Sequence, residues 1–305
     1  MFAHPTAISL QHLVALSRKA EGLHLLSGAV RGPLAGGHLS RLRGRGMEFD
    51  EVRRYQTGDD ARAIDWKVTA RKGAPYIKLF REERERPIML CIDYRPEMFF
   101  ATRGAFKSVL ATSIAALYGW AGVAHGDRVG GLLFDGRTIQ QQRPRRGRHG
   151  LLRLLGCCCR HRGWQPAADR GMAATTPTTH SLAPLFSRLR RITPTGSLVV
   201  LISDGRGFDE EPSGQLAALA RHSALLMIRV TDPLEHALPA GGPFPVQSGG
   251  ATVMLDGRDR QWRARYAAQA EQRDRALRDR CRALGIHLRE LSTGDDPLRV
   301  LAQPA

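Results

Sequence analysis

Residues 87–100 read PIMLCIDYRPEMFF, and the first half of this stretch indicates the fold. Ile88 to Ile92 form a short, continuous apolar run, which is typical of a strand buried on both faces. Similar runs occur at 128–134 (RVGGLLF), 197–204 (SLVVLISD) and 224–232 (ALLMIRVTD), and segments with helical periodicity separate them. Strands that alternate with helices predict a doubly wound α/β fold, with a mainly parallel sheet and helices on both faces.

The composition is basic but otherwise ordinary. The 305 residues carry a net charge of +17, and 41 of the 46 basic residues are arginine. A basic surface attracts nucleic acid, anionic lipid headgroups or acidic protein faces, although a GC-rich genome also produces an arginine bias. The chain shows neither a signal-peptide pattern nor about 18 consecutive apolar residues. We therefore expect a cytoplasmic protein without a transmembrane segment, with peripheral attachment at the inner face of the membrane as an alternative.

Three aspartates each end an apolar run, namely Asp93, Asp204 and Asp232. In parallel sheets the carboxyl ends of the strands share one edge, and ligands bind there. The trio could form a cation site at that edge. Aspartate is also common after strands as a helix cap or turn former, so both interpretations stay open.

Residues 46–85 carry a specific pattern, GMEFDEVRRYQTGDDARAIDWKVTARKGAPYIKLFREERE. This stretch resembles the signature of the bacterial family called domain of unknown function 58. The matching positions are Gly46, Glu48, Phe49, Arg53 or Arg54, Tyr55, Gly58, Asp59, Asp60, Arg62, Ile64, Asp65, Trp66, Ala70 and Arg71. The resemblance continues to the C-terminal helix.

The residue pattern predicts an N-terminal unit of helix and short strands over residues 1–86, and the resemblance implies a von Willebrand factor A-like domain over residues 87–305. It also implies association with MoxR-type ATPases of the AAA+ class, in an adaptor role in protein maturation or remodelling. Other von Willebrand A-like proteins are further partners that it suggests. Since the chain has no phosphate-binding loop and no evident nucleophile and base, we expect a non-enzymatic protein with no catalytic residues.

Von Willebrand A domains hold a divalent ion through an Asp-x-Ser-x-Ser motif, a later Thr and a later Asp. The resemblance places Asp93, Arg95 and Glu97 on the motif and Asp204 on the later Asp, with Thr178 or Thr179 for the Thr. Arginine has no acceptor atom, whereas its guanidinium can form paired hydrogen bonds with Asp93 or Asp204. We therefore predict a degenerate site in which Arg95 replaces the metal and no cofactor is needed. Mg²⁺ held with the help of Glu97 is the alternative.

The signature box 58–66, GDDARAIDW, mixes acids and arginines. Such balanced charge favours an internal network that fixes the N-terminal unit, and a partner-docking surface is the alternative. The residues concerned are Gly58, Asp59, Asp60, Arg62, Asp65, Trp66 and Arg71.

Eight arginines and no acidic residue occur between Gly136 and Ala168, most densely in the segment 137–162. Most stretches of this kind are solvated surfaces. The rival function is a nucleic-acid or anionic-surface binding protein that uses this segment, although the segment lacks interleaved aromatic residues and nucleic acid is the less favoured ligand. A third candidate is a hydrolase that acts through Asp93, Asp204 and Asp232.

Overall fold

Strands and helices alternate along the chain, as the sequence pattern predicts. The computed structural model describes residues 4–21, 23, 25, 47–56, 59, 61, 64–82, 86–165, 181–208, 213–248 and 251–301. The strands are β1 (Met47–Arg54), β2 (Tyr76–Glu82), β3 (Pro87–Asp93), β4 (Arg128–Phe134), β5 (Ile139–Arg146), β6 (Leu198–Ser203), β7 (Ala224–Thr231), β8 (Pro243–Ser248), β9 (Ala251–Asp256) and β10 (His287–Ser292). The helices are α1 (Leu10–Ala15), α2 (Ser17–Ala20), α3 (Trp66–Lys72), α4 (Lys107–Ala124), α5 (Gly147–Cys159), α6 (Ala183–Ile192), α7 (Ser213–His222), α8 (Arg260–Ala283) and α9 (Pro297–Leu301).

A six-stranded sheet in the order β10–β7–β6–β3–β4–β5 organises the larger part of the protein. Neighbouring strands from β10 to β4 are parallel, and only the edge strand β5 runs antiparallel to its neighbour β4. Helices cover both faces of this sheet, so the predicted doubly wound, mainly parallel α/β fold is confirmed.

Strand β3 shows why its sequence is apolar throughout. Ile88, Leu90 and Ile92 point into one hydrophobic core, which also contains residues of α1, α2, α4 and α5. Met89 and Cys91 point into a second core on the opposite face, which contains residues of α6, α7 and α8. Because successive side chains alternate between the faces, a strand between two cores needs an apolar residue at each position.

Helix α4 is buried along almost its whole length. It packs on the sheet, and α1, α2 and α5 also pack against it. The indole N–H of Trp120 donates to the carbonyl oxygen of Leu13 at 2.8 Å, so that this helix is tied to the N-terminal segment. Among the described helices, none combines the length and apolar character that a membrane crossing requires.

The N-terminal helices belong to the sheet unit. Residues 1–32 and 86–305 form one compact unit, and residues 33–85 form another. The prediction placed residues 1–86 together, and the structure corrects it because Leu13 of α1, Leu16 between the helices and Ala20 of α2 are buried in the core on the α4 face. The predicted start of the larger domain at residue 87 lies one residue from the observed start at residue 86.

The unit of residues 33–85 contains an antiparallel pair, β1 and β2, with α3 between them in the chain. Two backbone hydrogen bonds join the segment between β1 and α3 to the start of β2 and to the residue before it. The N–H of Asp65 donates to the oxygen of Tyr76 at 2.8 Å, and the N–H of Tyr55 donates to the oxygen of Pro75 at 2.9 Å. Strand β2 contains Tyr76–Phe80, the YIKLF stretch of the signature region.

Candidate functional site at the carboxyl edge of the sheet

The carboxyl ends of β3 and β6 bring two carboxylates to the same edge of the sheet. The strands are parallel neighbours with Ile92 opposite Ile202, so Asp93 and Asp204 follow at one edge. Asp93 is fully buried, and Asp204 is 5% exposed. Removing such charges from water costs on the order of several kcal/mol each unless cations compensate them.

Arg95 supplies this compensation. Its Nε donates to both carboxylate oxygens of Asp93 at 3.0 Å, and its Nη2 donates to Oδ2 at 2.6 Å. The same Nη2 lies 3.3 Å from Oδ1 of Asp204. Arg95 is only 1% exposed. One guanidinium therefore bridges both carboxylates, where the sequence predicts contact with at least one of them.

The surrounding loops fix the guanidinium in place. The backbone N–H of Arg95 donates to Asp93 at 2.9 Å, and Nη1 donates to the carbonyl oxygen of Arg206 at 3.0 Å. The hydroxyl of Ser203 donates to Asp93 at 2.7 Å and lies 3.3 Å from Nη2. Sequence analysis missed Ser203, although it directly precedes Asp204 in the apolar run 197–204.

A second buried cation, Lys107, reaches Asp204 from the first turn of α4. Its Nζ lies 3.4 Å from Asp204 and 2.6 Å from Glu235, and its side chain is fully buried. Arg206 also contacts both acids, at 3.4 Å and 3.0 Å respectively. Sequence analysis missed Lys107 and Glu235. The available signal was a lysine at the start of an apolar helix, in a chain with only 5 lysines.

Burial and charge act against each other on these groups. Burial raises the pKa of Asp93, and the charge and hydrogen bonds of Arg95 oppose that rise. Burial lowers the pKa of Arg95, but the charge and hydrogen bonds of Asp93 outweigh it and raise the pKa. Burial also acts to raise the pKa of Asp204, but the charges of Lys107 and Arg95 outweigh it and lower the pKa.

The shifts of Asp93 and Arg95 favour opposite forms of the pair. The geometry favours the ionic form, because a neutral Asp93 would leave a buried guanidinium with much less compensation. Two nitrogens of the guanidinium, one backbone N–H and one hydroxyl all donate to this carboxylate.

Asp232 serves as a cap and a loop tether. It accepts hydrogen bonds from the backbone and hydroxyl of Thr102 at 2.7 and 2.6 Å, from the hydroxyl of Thr293 at 2.8 Å and from the N–H of Leu234 at 3.0 Å. Among the described residues, no three His, Cys, Asp or Glu side chains form a group that could hold a metal. The interpretation of the three aspartates as one cation site is therefore wrong for this part of the chain, and the cap interpretation applies to Asp232.

Glu97 lies in a 3-10 turn, Pro96–Met98, directly after Arg95. Its negative charge adds to the larger effect of Asp93 in raising the pKa of Arg95. Thr178 and Thr179, the two candidates for the later Thr of the metal motif, lie outside the described residues.

A cleft of about 340 Å³ opens beside Asp204, between the turn after β6 and helix α8. The carboxylates that line it are all engaged by cations within the described part of the chain. Asp204 and Glu235 contact Lys107 and Arg206, and Asp274 forms an ion pair with Arg229. Each carboxylate of this cleft therefore has at least one cationic partner.

The signature box divides into residues that bond internally and residues that face outward. Arg53 donates to both carboxylate oxygens of Asp59 at 2.8 Å, and Asp65 caps α3 by accepting from the backbone N–H groups of Lys67 and Val68 at 3.0 and 3.2 Å. In contrast, the side chain of Trp66 is 71% exposed. Arg71 near the end of α3 is exposed as well. Gly58, Asp60 and Arg62 lie outside the described residues.

The Arg-rich segment 137–162 is divided among several elements. It spans β5, α5 and the start of a 3-10 turn at Arg162–Trp164. Arg143 and Arg145 are exposed on β5, and Arg148 is exposed on α5 with its guanidinium 5.4 Å from the ring centre of Trp120. All eight arginines of this segment are exposed, and they are distributed over these elements and the loops beside them.

The fold and this edge define a doubly wound α/β protein in which a guanidinium bridges the two carboxylates at the ends of the central strands. The chain belongs to the family described as protein of unknown function DUF58, whose match spans residues 51–276. Uncharacterised proteins of Mycobacterium bovis and Mycobacterium tuberculosis are 32% identical to it over 228 residues, which cover 74% of this chain and 68% of each relative.

Two solved structures are similar to part of the fold. The conserved hypothetical protein BatB from Bacteroides thetaiotaomicron has a TM-score of 0.41 at 12% identity, covering 71% of this chain and 95% of that chain. An aerotolerance-related membrane protein from Bacteroides fragilis has a TM-score of 0.34 at 11% identity, covering 66% of this chain and 98% of that chain. At these values the similarity supports no conclusion about ligands or partners.

Proposed function

We propose that this protein is a non-enzymatic adaptor that docks a MoxR-type AAA+ ATPase and acts in protein maturation or remodelling. The observation that carries the proposal is the exposure of Trp66, which is 71% accessible in the box that is most typical of the family. The type of partner follows from the family resemblance, and so does the von Willebrand A-like character of the sheet unit.

An exposed tryptophan on a capped helix suits a docking role. A tryptophan side chain removes about 150–250 Å² from water when it is covered, and tryptophan is enriched among the residues that dominate binding energy. Asp65 holds the start of α3 through two backbone hydrogen bonds, so Trp66 is presented from a fixed position. The box thus combines a structural part, Asp59 and Asp65, with an outward part that is available to a partner.

The carboxyl edge supports the non-enzymatic, metal-free part of the proposal. Arg95 lies between Asp93 and Asp204, where a divalent ion would otherwise neutralise both, and it brings no acceptor oxygen. We expect the wild-type protein to bind neither Mg²⁺ nor Mn²⁺ tightly. Isothermal titration calorimetry on the purified protein tests this, and tight stoichiometric binding of either ion contradicts it.

The docking proposal is tested by affinity capture with the tagged, purified protein in nuclease-treated native lysate, with ATP and Mg²⁺ present or absent. We expect mass spectrometry to detect an enriched AAA+ ATPase with the wild type and to find it lost with Trp66→Ala. Met254→Ala is the matched control, because Met254 is also a large apolar side chain with 56% exposure and lies on β9.

Both variants must first show wild-type melting temperatures, so that a loss of capture reports docking. Failure of the wild type to enrich an AAA+ ATPase, or equal capture by the wild type and Trp66→Ala, contradicts the proposal.

A further inference from the structure

A groove of about 460 Å³ lies at the amino end of the sheet, where β3 and β4 begin. Four arginines line it, namely Arg128, Arg143, Arg188 and Arg191, and all four are exposed. Within the described part of the chain, no acidic residue contributes to the lining. The lining of the groove therefore concentrates positive charge.

A bulge in the edge strand contributes to the shape of this groove. Where β5 pairs with β4, Arg143 and Pro144 together occupy the place opposite Gly130. A Cβ atom at Gly130 would lie 2.5 Å from the backbone nitrogen of Pro144, so only glycine allows this close approach. Proline has no N–H to leave without a partner, and a bulge redirects the neighbouring side chains. The bulge at Arg143 and Pro144, which Gly130 permits, therefore helps to place Arg143 in the lining of the groove.

Three guanidinium groups in the groove, those of Arg143, Arg188 and Arg191, retain open hydrogen-bond donors. Arg188 is oriented by the side-chain oxygen of Gln141, which accepts from Nε at 3.1 Å and from Nη2 at 2.7 Å. Arg143 and Arg191 make no side-chain hydrogen bond or ion pair with any described residue. An arginine side chain offers five N–H donors, so most of the donors of these three side chains face solvent or a ligand.

We infer that this groove binds an acidic segment of a protein partner through paired guanidinium–carboxylate hydrogen bonds. Like charges that share a concave surface repel one another, and an anion that enters relieves that repulsion. Pro87, Pro144 and Ile192 supply apolar contacts for the methylene groups of glutamate. The lining contains no aromatic ring among the described residues on which a nucleobase could stack, which favours a peptide over single-stranded nucleic acid.

The volume agrees with this ligand. A space of about 460 Å³ is within the usual range for a small ligand site and holds a few residues of a peptide rather than a duplex. The inference rests on the proposed adaptor function, since it names the chemistry of a segment that a protein partner would present.

The test uses fluorescein-labelled hexaglutamate and fluorescence anisotropy at physiological ionic strength, where long-range attraction by the net charge is screened beyond about 8 Å. We expect the double variant Arg143→Gln/Arg191→Gln to weaken binding by about tenfold or more, because two charge-assisted contacts are lost. The control is Arg153→Gln/Arg221→Gln, which removes two exposed arginines of α5 and α7 outside the groove. We expect this control to bind within about twofold of the wild type.

Three results would overturn the inference: no binding of hexaglutamate, an equal loss in both double variants, or equal binding of hexaglutamine. Tighter binding of an oligothymidylate of equal charge, lost in the groove variant, would instead assign the groove to nucleic acid. The two proposals fail separately, because hexaglutamate binding tests the groove and ATPase capture tests the adaptor role. Trp66→Ala should still bind hexaglutamate, since Trp66 does not line the groove. If hexaglutamate binds while no ATPase is captured by the wild type, only the adaptor proposal fails. If hexaglutamate does not bind while the ATPase is captured, only the groove assignment fails.

Discussion

The two ends of the sheet use arginine in opposite ways. At the carboxyl end, Arg95 is 1% exposed and its guanidinium contacts two buried carboxylates. At the amino end, Arg143 and Arg191 are exposed, and the groove that they line contains no acid among the described residues. The same side chain therefore completes an internal ionic cluster at one end and offers its donors outward at the other.

This difference separates charges that stabilise the fold from charges that can bind a ligand. When an arginine pairs with buried carboxylates, its removal leaves those negative charges uncompensated inside the protein. An arginine that is exposed to water compensates no buried charge, so its removal changes the stability of the fold little. The position of the counter-charge is therefore more informative than the density of arginine in the sequence.

The sharpest test of the comparison is Arg95→Ala. It leaves Asp93 fully buried without its guanidinium and removes a cation from Asp204, so we expect a loss of about 3–5 kcal/mol in the free energy of unfolding. Urea denaturation followed by circular dichroism measures it. Arg153→Ala on the surface of α5 is the control, and an equally small effect of both changes would remove the distinction between the two ends.

Lys107→Met should have the next largest effect. Lys107 is fully buried, but Arg206 also contacts its two partners, Asp204 and Glu235, and keeps part of the compensation. We expect a loss of about 1–3 kcal/mol in the same denaturation experiment. If Lys107→Met is as harmful as Arg95→Ala, the two cations act as one inseparable cluster, and Arg95 does not hold the larger share of the compensation.

Acid should lower the stability of the protein through the carboxylates at the carboxyl end of the sheet. Burial acts to raise the pKa of Asp204, but Lys107 and Arg95 lower it below its ordinary value of 3.8. The pKa of Asp232 is lowered because hydrogen bonds, chiefly from Thr102, outweigh its burial. Below about pH 3.8 the unfolded chain therefore binds more protons than the folded one, and stability falls as the pH falls.

Denaturation midpoints measured between about pH 7 and pH 3 test this expectation. The wild type should lose stability below about pH 4, and Asp204→Asn should lose less over the same interval because one of the titrating carboxylates is absent. A midpoint that stays constant down to about pH 3 would contradict the assignment of these carboxylates as ionised in the folded protein.

The smallest effect on stability belongs to the groove. Arg143→Gln/Arg191→Gln should change the free energy of unfolding by no more than about 0.5 kcal/mol, since neither side chain has an internal ion-pair partner among the described residues. We expect the double variant to be slightly more stable than the wild type, because the substitutions remove charges that repel one another. A loss above about 2 kcal/mol would show that the groove is part of the framework of the fold.

The sequence allowed the central part of the cluster to be predicted. Asp93 and Asp204 each follow a continuous apolar run, and Arg95 is only two residues beyond the end of β3. Lys107 and Glu235 could not be found in this way, because their mutual contact spans 128 residues and no local pattern links them. Their roles depend on the way in which α4 and the loop after β7 are placed at the same edge.

Strand β5 was missed for a related reason. Its sequence, IQQQRPRR, has no apolar alternation and includes a proline, both of which argue against a strand. In the structure β5 is an edge strand with exposed and half-buried side chains, so no alternation is needed, and its proline lies in a bulge. Local composition therefore suggested only a charged surface, whereas the pairing with β4 gives that surface its groove.

The bond between Trp120 and Leu13 has a consequence for how the protein is made. Helices α1 and α2 have only 6 and 4 residues, too few to be stable alone in water. Their packing partner α4 begins at Lys107, and a ribosome needs on the order of ten seconds to reach it from the N-terminal helices. During that interval Leu13 and Leu16 stay exposed on the nascent chain, and this segment is where we expect a chaperone to bind during synthesis.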